Sequence, residues 1–219
     1  MLAKVNSCAL VGLEATRVEV EVYAAKGLPA ITVVGLPDAA VKESRERVWA
    51  ALRNSGLTFP GGRVTINLAP ADLRKEGPSY DLPIALGVLA ASGQIPPDIL
   101  EGALALGELS LDGSVRHVCG VLPAAHMAQS MGLERIFVPS VDAAEAALIP
   151  DIEVIPVEHL IALIEHLLEV DVIPAFDRSR LSEQDTSPSP PTDFADVKGQ
   201  EHVKRALEVA AAGGHNVAT

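Results

Sequence analysis

Residues 75–93 read KEGPSYDLPIALGVLAASG, a Gly-Pro loop followed directly by a long apolar run. Ser79 lies between the loop and the run, where nucleophilic serines and helix-capping serines are both found. A serine hydroxyl reacts poorly at pH 7 unless a base lies beside it. The pattern by itself therefore predicts that Ser79 or Asp81 caps a helix, with the Asp81 carboxylate favourably placed at the positive end of the helix dipole.

The residues before this loop predict strands around one amphipathic helix. Alternating or continuous apolar residues predict strands at 3–11, 17–25, 30–37 and 63–70. The strand at 30–37 is expected to be the more buried one, because its apolar run is continuous. Asp38 is placed to cap the following helix, and Gly56 is placed to end it. The predicted apolar face of that helix holds Val41, Val48, Ala51 and Leu52.

The residues after the loop predict alternating strands and helices. Asp112-Gly113 predicts a hairpin turn between two strands within residues 103–115. Further helices are predicted at 120–132, 142–148 and 158–170, and further strands at 135–140 and 152–157. Strands that come first and then alternate with helices indicate a mixed α/β domain over residues 1–170.

The composition argues against several classes of protein. The 219 residues have a formal net charge of −12, which disfavours sequence-independent binding to the DNA backbone. Cys8 and Cys119 lack CxxC spacing, so neither a zinc site nor a disulfide framework is predicted. The longest apolar run, LPIALGVLAA, is about half of the ~20 residues that span a bilayer. We predict no signal peptide and expect a soluble cytoplasmic protein without a membrane partner.

A polar segment and a short tail follow the α/β domain. Residues 171–193 are expected to be a flexible linker, because they contain DRSRLSEQDTSPSPPTD, which is rich in Pro and Ser. Residues 194–219 predict a turn and a helix that begins near Glu201 and ends at Gly213-Gly214. The tail is too short to fold alone, so we expect it to be the first part of a truncated domain.

Three segments resemble Lon proteases in the same order along the chain. They are KEGPSYDLPIALGVLAASG, GELSLDGSVRHVCGV and AAHMAQSMGLERIFVPS. Lon-type proteolysis uses a Ser-Lys dyad, and the resemblance puts the nucleophile on Ser79. It puts the dyad lysine on Leu122, which cannot accept a proton. Lys75, in the same loop as Ser79, is then the remaining lysine that lies near enough in the sequence to act as a base.

The histidines form no recognisable motif. His117 and His126 lie near the position of the lost dyad lysine, but no pattern supports a Ser-His pair. His159 and His166 are seven residues apart, which is too far for the i, i+4 spacing of a metal pair on a helix. His215 has no second ligand spaced near it, so we predict no metal site.

A closer resemblance covers almost the whole chain, from Met1 to Asn216. It rests on KVNSCALVGLEATRVEVEVYAAKGLPAITVVGLPDAAVKESRERVWAALRNSG, INLAPADLRKEGPSYDLPIALGVL and the tail FADVKGQEHVKRALEVAAAGGHN. These segments are similar to the opening of the Mg-chelatase-like AAA+ ATPases of the ComM/YifB type. The resemblance implies a two-layer α/β domain with the Lon-like, ribosomal protein S5 domain 2-like fold, followed by the beginning of an AAA+ module.

The same resemblance implies a function for the full-length protein. The family is associated with hexameric, ATP-driven DNA helicase and branch-migration activity in natural transformation, with ATP and Mg²⁺ as cofactors and DNA bound through the ring. In the tail, it implies that Val197, Gly199 and Gln200 lie at the edge of the adenine pocket. The phosphate-binding pattern GxxxxGK[ST] occurs nowhere in these 219 residues, so we expect this chain alone to bind no cofactor and hydrolyse no ATP.

Three functions stay open for the chain itself. The first is a non-catalytic N-terminal accessory domain that works with its own AAA+ module in a homo-hexamer. The second is a serine peptidase in which Ser79 uses a non-standard base such as Lys75. The third is a nucleic-acid-binding module, although the net charge counts against it. A sugar-phosphate kinase is disfavoured, because the loop KEGPSYD contains a single glycine.

Overall fold

A seven-stranded sheet forms the centre of the computed structural model, which describes residues 1–182 and 196–215. The strands are β1 (Leu2–Val11), β2 (Glu14–Ala25), β3 (Ala30–Val34), β4 (Arg63–Ala69), β5 (Ala103–Ala105), β6 (Glu108–Leu109), β7 (Val115–Arg116), β8 (Arg135–Pro139) and β9 (Glu153–Val157). β6 and β7 form a separate hairpin, and the central sheet has the order β3-β4-β2-β1-β5-β8-β9. Antiparallel pairing joins β4 to β2 and β2 to β1, whereas the other neighbours are parallel.

Helices pack on both faces of this sheet. They are α1 (Ala39–Asn54), α2 (Asp81–Ala91), α3 (Val121–Ser130), α4 (Ala143–Ala146) and α5 (Leu160–Leu167). One apolar cluster joins α1, α2 and α5 to one face, and a second joins α3 and α4 to the opposite face. Along β1 and β2, that opposite face carries Lys4, Arg17 and Glu19 in exposed ion pairs, so the domain has two layers there. The predicted α/β fold class is confirmed.

α1 begins and ends where the sequence predicts. The Asp38 carboxylate accepts a hydrogen bond of 2.7 Å from the Val41 N–H, which satisfies one of the free donors at the helix start. Gly56 has a φ of 74°, a left-handed conformation that suits glycine just after a helix end. The predicted apolar face is buried at all four positions, Val41, Val48, Ala51 and Leu52.

α2 lies entirely inside the domain, because all 11 of its residues are buried. It packs against β1, β2 and α1. Gly87 allows the close approach to β2: a Cβ atom at this position would lie 2.6 Å from Val22 Cγ2. The apolar run that follows Ser79 in the sequence is therefore the central helix of the core.

Two strand predictions differ from the structure. The residues of β3 are half-buried or exposed, so the prediction of a more buried strand at 30–37 is wrong. β3 lies at the edge of the sheet and pairs with β4 on one side, with no strand on the other side among the described residues. The hairpin at Asp112-Gly113 is confirmed, but its strands hold two residues each, and Ala103–Ala105 belongs to the central sheet.

The chain divides into two compact units, Met1–Leu181 and Ser182–Thr219. The first unit includes residues beyond 170, since the Phe176 N–H donates a hydrogen bond of 2.8 Å to the Val154 carbonyl. Part of the predicted linker, residues 183–193, lies outside the described residues.

The described part of the second unit contains one helix, α6 (Glu201–Gly213). It begins at Glu201 as predicted, and it is followed by Gly214 with a left-handed φ of 62°. None of the residues of α6 is buried. No described helix of either unit is long and apolar enough to cross a membrane.

Candidate functional site

A cleft of about 650 Å³ opens beside Ser79. Its walls are formed by residues 8–11 at the end of β1, residues 73–74 and 76–80 of the loop before α2, Leu106, and the segment 117–119. Apolar side chains make up much of the wall, and Ser79 and His117 add a hydroxyl and an imidazole. The volume lies in the range of small-molecule sites, which is roughly 300–1,000 Å³.

Ser79 reaches this cleft from a short 3₁₀ turn, Pro78–Tyr80, which leads into α2. The turn follows Gly77, whose φ of 79° suits glycine. The Ser79 carbonyl accepts a hydrogen bond of 3.0 Å from the Gly107 N–H, which fixes the main chain of the turn. The side chain is half-buried, and its Oγ has no hydrogen-bond partner among the described residues.

The prediction that Ser79 or Asp81 caps α2 is wrong. Tyr80 occupies the N-cap position, and no side chain makes a capping hydrogen bond there. The physical reason is the preceding 3₁₀ turn, in which the Asp81 N–H donates to the Pro78 carbonyl. The helical backbone is thus continued from the turn, and the Ser79 hydroxyl is left free of that role.

Asp81 instead joins three elements of the core. Its fully buried carboxylate accepts hydrogen bonds of 2.6 and 3.0 Å from Arg47 on α1 and one of 3.2 Å from the Leu109 N–H on β6. Burial raises the pKa of Asp81, and the bonds from Arg47 oppose that rise. Asp81 therefore holds α1, the start of α2 and the hairpin together.

Lys75 does not line the cleft that holds Ser79. Its side chain is completely buried, and its ammonium group donates a hydrogen bond to the Pro70 carbonyl. Its own main chain is bonded to Leu36 and Asp38, which fixes the loop on the side of α1. Burial lowers the pKa of Lys75. The structure thus does not bring the proposed lysine base and Ser79 together in one cleft.

Leu122, at the position of the dyad lysine, lies in the first turn of α3. Its N–H donates a hydrogen bond of 2.9 Å to Glu145 Oε1 on α4. The side chain is about one-third exposed and is not part of the cleft wall. His126, further along α3, is exposed and also lies outside the cleft wall.

His117 and Asp142 form a pair that the sequence analysis did not predict. His117 Nδ1 lies 2.5 Å from Asp142 Oδ1, and the second Asp142 oxygen accepts a hydrogen bond of 3.0 Å from the Val118 N–H. The hydrogen bond that His117 donates to Asp142 raises the pKa of His117. The residues are 25 positions apart, and Asp142 follows a strand as an ordinary helix start, so no local spacing marks them as a pair.

Two further histidines of the first unit, His159 and His166, have structural roles. His159 Nδ1 accepts a hydrogen bond of 3.3 Å from the Ile161 N–H and caps α5, and its Nε2 lies 2.9 Å from the Asp112 carbonyl. His166 Nδ1 accepts a hydrogen bond of 3.1 Å from the Ile173 N–H. No group of three or more His, Cys, Asp or Glu side chains suited to a metal ion occurs in the described residues.

The residues implied for an adenine pocket lie in the turn before α6. Val197, Gly199 and Gln200 are exposed, and Gly199 and Gln200 have left-handed φ values of 72° and 60°. The Gln200 carbonyl accepts the first hydrogen bonds of α6, from the Val203 and Lys204 N–H groups. The turn therefore sets the start of the helix.

Comparison with known proteins identifies the family. The profile described as subunit ChlI of Mg-chelatase matches residues 20–142, and a second profile, described as magnesium chelatase, subunit ChlI, matches residues 193–219. The chain belongs to the Mg-chelatase subunit ChlI family. The resemblance to this family that the sequence analysis proposed is confirmed.

Two relatives within this ChlI-like group match the chain almost from end to end. The protein YifB of Salmonella typhimurium is 44% identical over 216 residues, and the competence protein ComM of Haemophilus influenzae is 42% identical over 217 residues. Each alignment covers 99% of this chain but 42% of the relative. The chain therefore spans less than half the length of these relatives. Its identity to both of them shows that it is of the ComM/YifB type.

A more distant similarity connects the ChlI-like domain to proteases. Lon protease 2 of Bacillus subtilis is 28% identical over 137 residues, which are 56% of this chain and 24% of that protein. This agrees with the Lon-like fold expected from the segments around Ser79.

Proposed function

We propose that residues 1–181 are an accessory domain of a ComM-like AAA+ ATPase and that this domain lacks Ser-Lys peptidase chemistry. One observation supports the second part above all: Lys75, the lysine nearest to Ser79 in the sequence, is buried with its ammonium group on the Pro70 carbonyl. Leu122 stands where the resemblance expects the dyad lysine. A serine without an adjacent base loses most of its reactivity.

The ATPase itself belongs to the longer protein in this proposal. ATP and Mg²⁺ would bind a phosphate loop that follows the present tail, and Val197, Gly199 and Gln200 would contribute the edge of the adenine pocket. The proposed activity is ATP-driven DNA branch migration by a homo-hexameric ring, which accords with the similarity to a competence protein. We assign DNA contact to the ring, because the present chain has a net charge of −12.

Deleting the domain tests its accessory role. The full-length protein and a version without residues 1–181 would be compared for ATP hydrolysis, ring assembly and DNA branch migration. We expect the shortened protein to hydrolyse ATP but to assemble or migrate branches less well. Unchanged assembly and unchanged branch migration would contradict the proposal.

The absence of Ser-Lys chemistry has its own test. Lys75→Met should leave any reactivity of Ser79 towards acylating or phosphonylating reagents unchanged, provided that circular dichroism shows a folded protein. A loss of reactivity in folded Lys75→Met would show that the lysine acts as the base, and this part of the proposal would then be wrong.

A further inference from the structure

The cleft contains three groups that the accessory role does not use. Ser79 lines it with a hydroxyl that has no hydrogen-bond partner among the described residues, and His117 lines it from the segment 117–119. Asp142 contacts His117 through a hydrogen bond and is 5% exposed. A nucleophile, a base and a carboxylate that orients the base are the parts of a Ser-His-Asp hydrolase.

The His117–Asp142 pair has the geometry of a base and its orienting group. Asp142 Oδ1 lies 2.5 Å from His117 Nδ1 and accepts its hydrogen bond, so the neutral form of the imidazole carries its proton on Nδ1 and its lone pair on Nε2. His117 Nε2 has no hydrogen-bond partner among the described side chains. The Val118 N–H donates a hydrogen bond of 3.0 Å to the second Asp142 oxygen, which opposes rotation of the carboxylate away from the imidazole.

Ser79 is held where an acyl group in the cleft can reach it. The hydrogen bond from the Gly107 N–H fixes its main chain in the 3₁₀ turn that leads into α2. In unliganded hydrolases the bond between nucleophile and base is often long, and it shortens when substrate binds. The observation that supports a Ser79–His117 pair is therefore that both side chains line the same cleft.

The wall of the cleft indicates the class of substrate. Leu10, Val11, Leu73 and Leu106 form its apolar part, which suits the hydrocarbon part of an acyl group. The charged side chains on the wall, Arg74 and Glu76, form an ion pair of 2.9 Å with each other. A neutral, apolar acyl chain fits this surface better than a charged one.

We propose that Ser79, His117 and Asp142 hydrolyse esters of short apolar acyl groups. Ser79 Oγ attacks the acyl carbon while His117 Nε2 takes the hydroxyl proton, and the imidazolium then gives that proton to the leaving alcohol. Water attacks the acyl-serine next, with His117 again taking and returning one proton, which releases the carboxylic acid and restores Ser79. Ser79 and His117 are catalytic residues, and Asp142 is a positioning residue. This activity goes beyond the accessory role.

The first test is covalent labelling of the 219-residue chain by a fluorophosphonate probe, in which Ser79 displaces fluoride from phosphorus. Mass spectrometry should locate the label on Ser79, and Ser79→Ala should abolish it. His117→Gln should lower the labelling rate by about 10²-fold or more, which is typical for removal of a general base. His126→Gln is the matched control, because His126 is exposed outside the cleft wall, and it should label at the rate of the wild type.

Hydrolysis of p-nitrophenyl butyrate provides the second readout with the same variants. The inference is overturned if the folded wild type gives neither label nor turnover, if the label lies on another residue, or if His117→Gln reacts as fast as His126→Gln. The inference is also overturned if folded Lys75→Met loses reactivity while His117→Gln keeps it. That result would show Lys75 to be the base and would contradict the proposed absence of Ser-Lys chemistry as well.

The pH dependence tests the positioning role of Asp142. Reactivity should rise as His117 loses its proton, with a midpoint above its ordinary pKa of 6.5 because of the bond to Asp142. Asp142→Asn removes the bond that raises this pKa, so the midpoint should move to lower pH while the plateau rate falls. An unchanged midpoint and plateau in Asp142→Asn would overturn this role.

Other titratable groups also lie around His117. Glu145 faces it from the same segment as Asp142 and acts in the same direction. Arg74, Glu76, Tyr80, Cys8 and Cys119 also line the cleft. Burial raises the pKa of Cys8 to about 12 and raises that of Tyr80, so both stay protonated in the window where His117 titrates.

Discussion

At the scale of single residues, the side chains that matter most are those whose partners are distant in sequence. Arg47 and Asp81 are 34 positions apart, and His117 and Asp142 are 25 apart. The first pair is largely buried and fixes the core, whereas the second has its imidazole exposed in the cleft. Substitutions in the Arg47–Asp81 pair should therefore change the stability of the domain. Substitution of Asp142 should change the pKa of His117.

Arg47→Met should destabilise the domain strongly. The substitution leaves the Asp81 carboxylate buried with little compensation, and breaking a buried pair in this way costs about 3–5 kcal/mol. Urea unfolding followed by circular dichroism would measure the loss. Arg45→Met is the control, because Arg45 is half exposed and its ion pair within the described part of the chain is with the adjacent Glu46, so a change below about 0.5 kcal/mol is expected.

Replacing both Arg47 and Asp81 tests whether the unpaired buried carboxylate causes the loss of stability. Arg47→Met combined with Asp81→Leu removes both charges, so the double variant should be more stable than Arg47→Met alone. An Arg47→Met variant as stable as Arg45→Met would show that the pair contributes nothing to folding.

The titration of His117 should be displaced upwards in the folded chain. The bond to Asp142 raises its pKa above 6.5, and nuclear magnetic resonance of the imidazole would measure it directly. Since the folded pKa is above the unfolded one, the bond contributes stability that is fully present below pH 6.5 and is lost as pH rises through the folded pKa. Asp142→Asn should return the midpoint towards 6.5, and a wild-type midpoint at or below 6.5 would contradict the expected effect of the bond.

At the scale of secondary-structure elements, neighbouring residues in the sequence predict the bounds and the buried face of α1, but they do not predict that β3 lies at the edge of the sheet. The cap at Asp38, the end at Gly56 and the apolar face of α1 all follow from neighbouring residues, and all are confirmed. The apolar run of β3 indicated a buried strand, but its position at the sheet edge depends on which strands pair, and no local pattern encodes that.

The same limit applies to the candidate site. Ser79 could be found from the sequence because a loop and an apolar helix flank it. Its failure to cap α2 depends on the 3₁₀ turn, and the His117–Asp142 pair depends on tertiary packing. Contacts between distant segments are decided by how the elements pack, so spacing alone predicts one candidate residue but not its partners.

Asp38→Ala should lower stability by about 1–2 kcal/mol. The carboxylate caps α1 through the Val41 N–H, and its other oxygen accepts a hydrogen bond of 3.2 Å from the Gly77 N–H in the loop of the cleft. Asp38→Asn keeps one acceptor oxygen and should lose less. Thermal unfolding of both variants would measure the difference, and equal losses for Ala and Asn would argue against capping as the cause.

Gly87→Ala should destabilise the core by about 1–3 kcal/mol, although alanine is the better helix former. The added methyl would lie 2.6 Å from Val22 Cγ2 and force α2 away from β2. Val22→Ala removes the obstructing methyl group, so the double variant should be more stable than the sum of the single losses predicts. Strict additivity in a urea unfolding cycle would contradict this contact.

At the scale of the whole molecule, the two units are expected to differ in their contribution to stability. Met1–Leu181 contains both apolar clusters, whereas no residue of α6 in the second unit is buried. Removal of residues 182–219 should therefore change the Tm of the main transition by less than about 2 °C, since 1 kcal/mol corresponds to about 2–4 °C for a domain of this size. Calorimetry of both lengths would test this, and a loss of 5 °C or more would contradict it.

The order of the strands also has a consequence for biosynthesis. β3, β4, β2 and β1 are adjacent in the sheet, so they can pair as soon as residue 69 has left the ribosome. β1 receives its other neighbour, β5, only 35 or so residues later, and β8 and β9 follow after that. During this interval the nascent chain exposes the free edge of β1 and apolar surface of α2 that the later segments will cover. We therefore expect the nascent chain to be most prone to aggregation at this stage of translation.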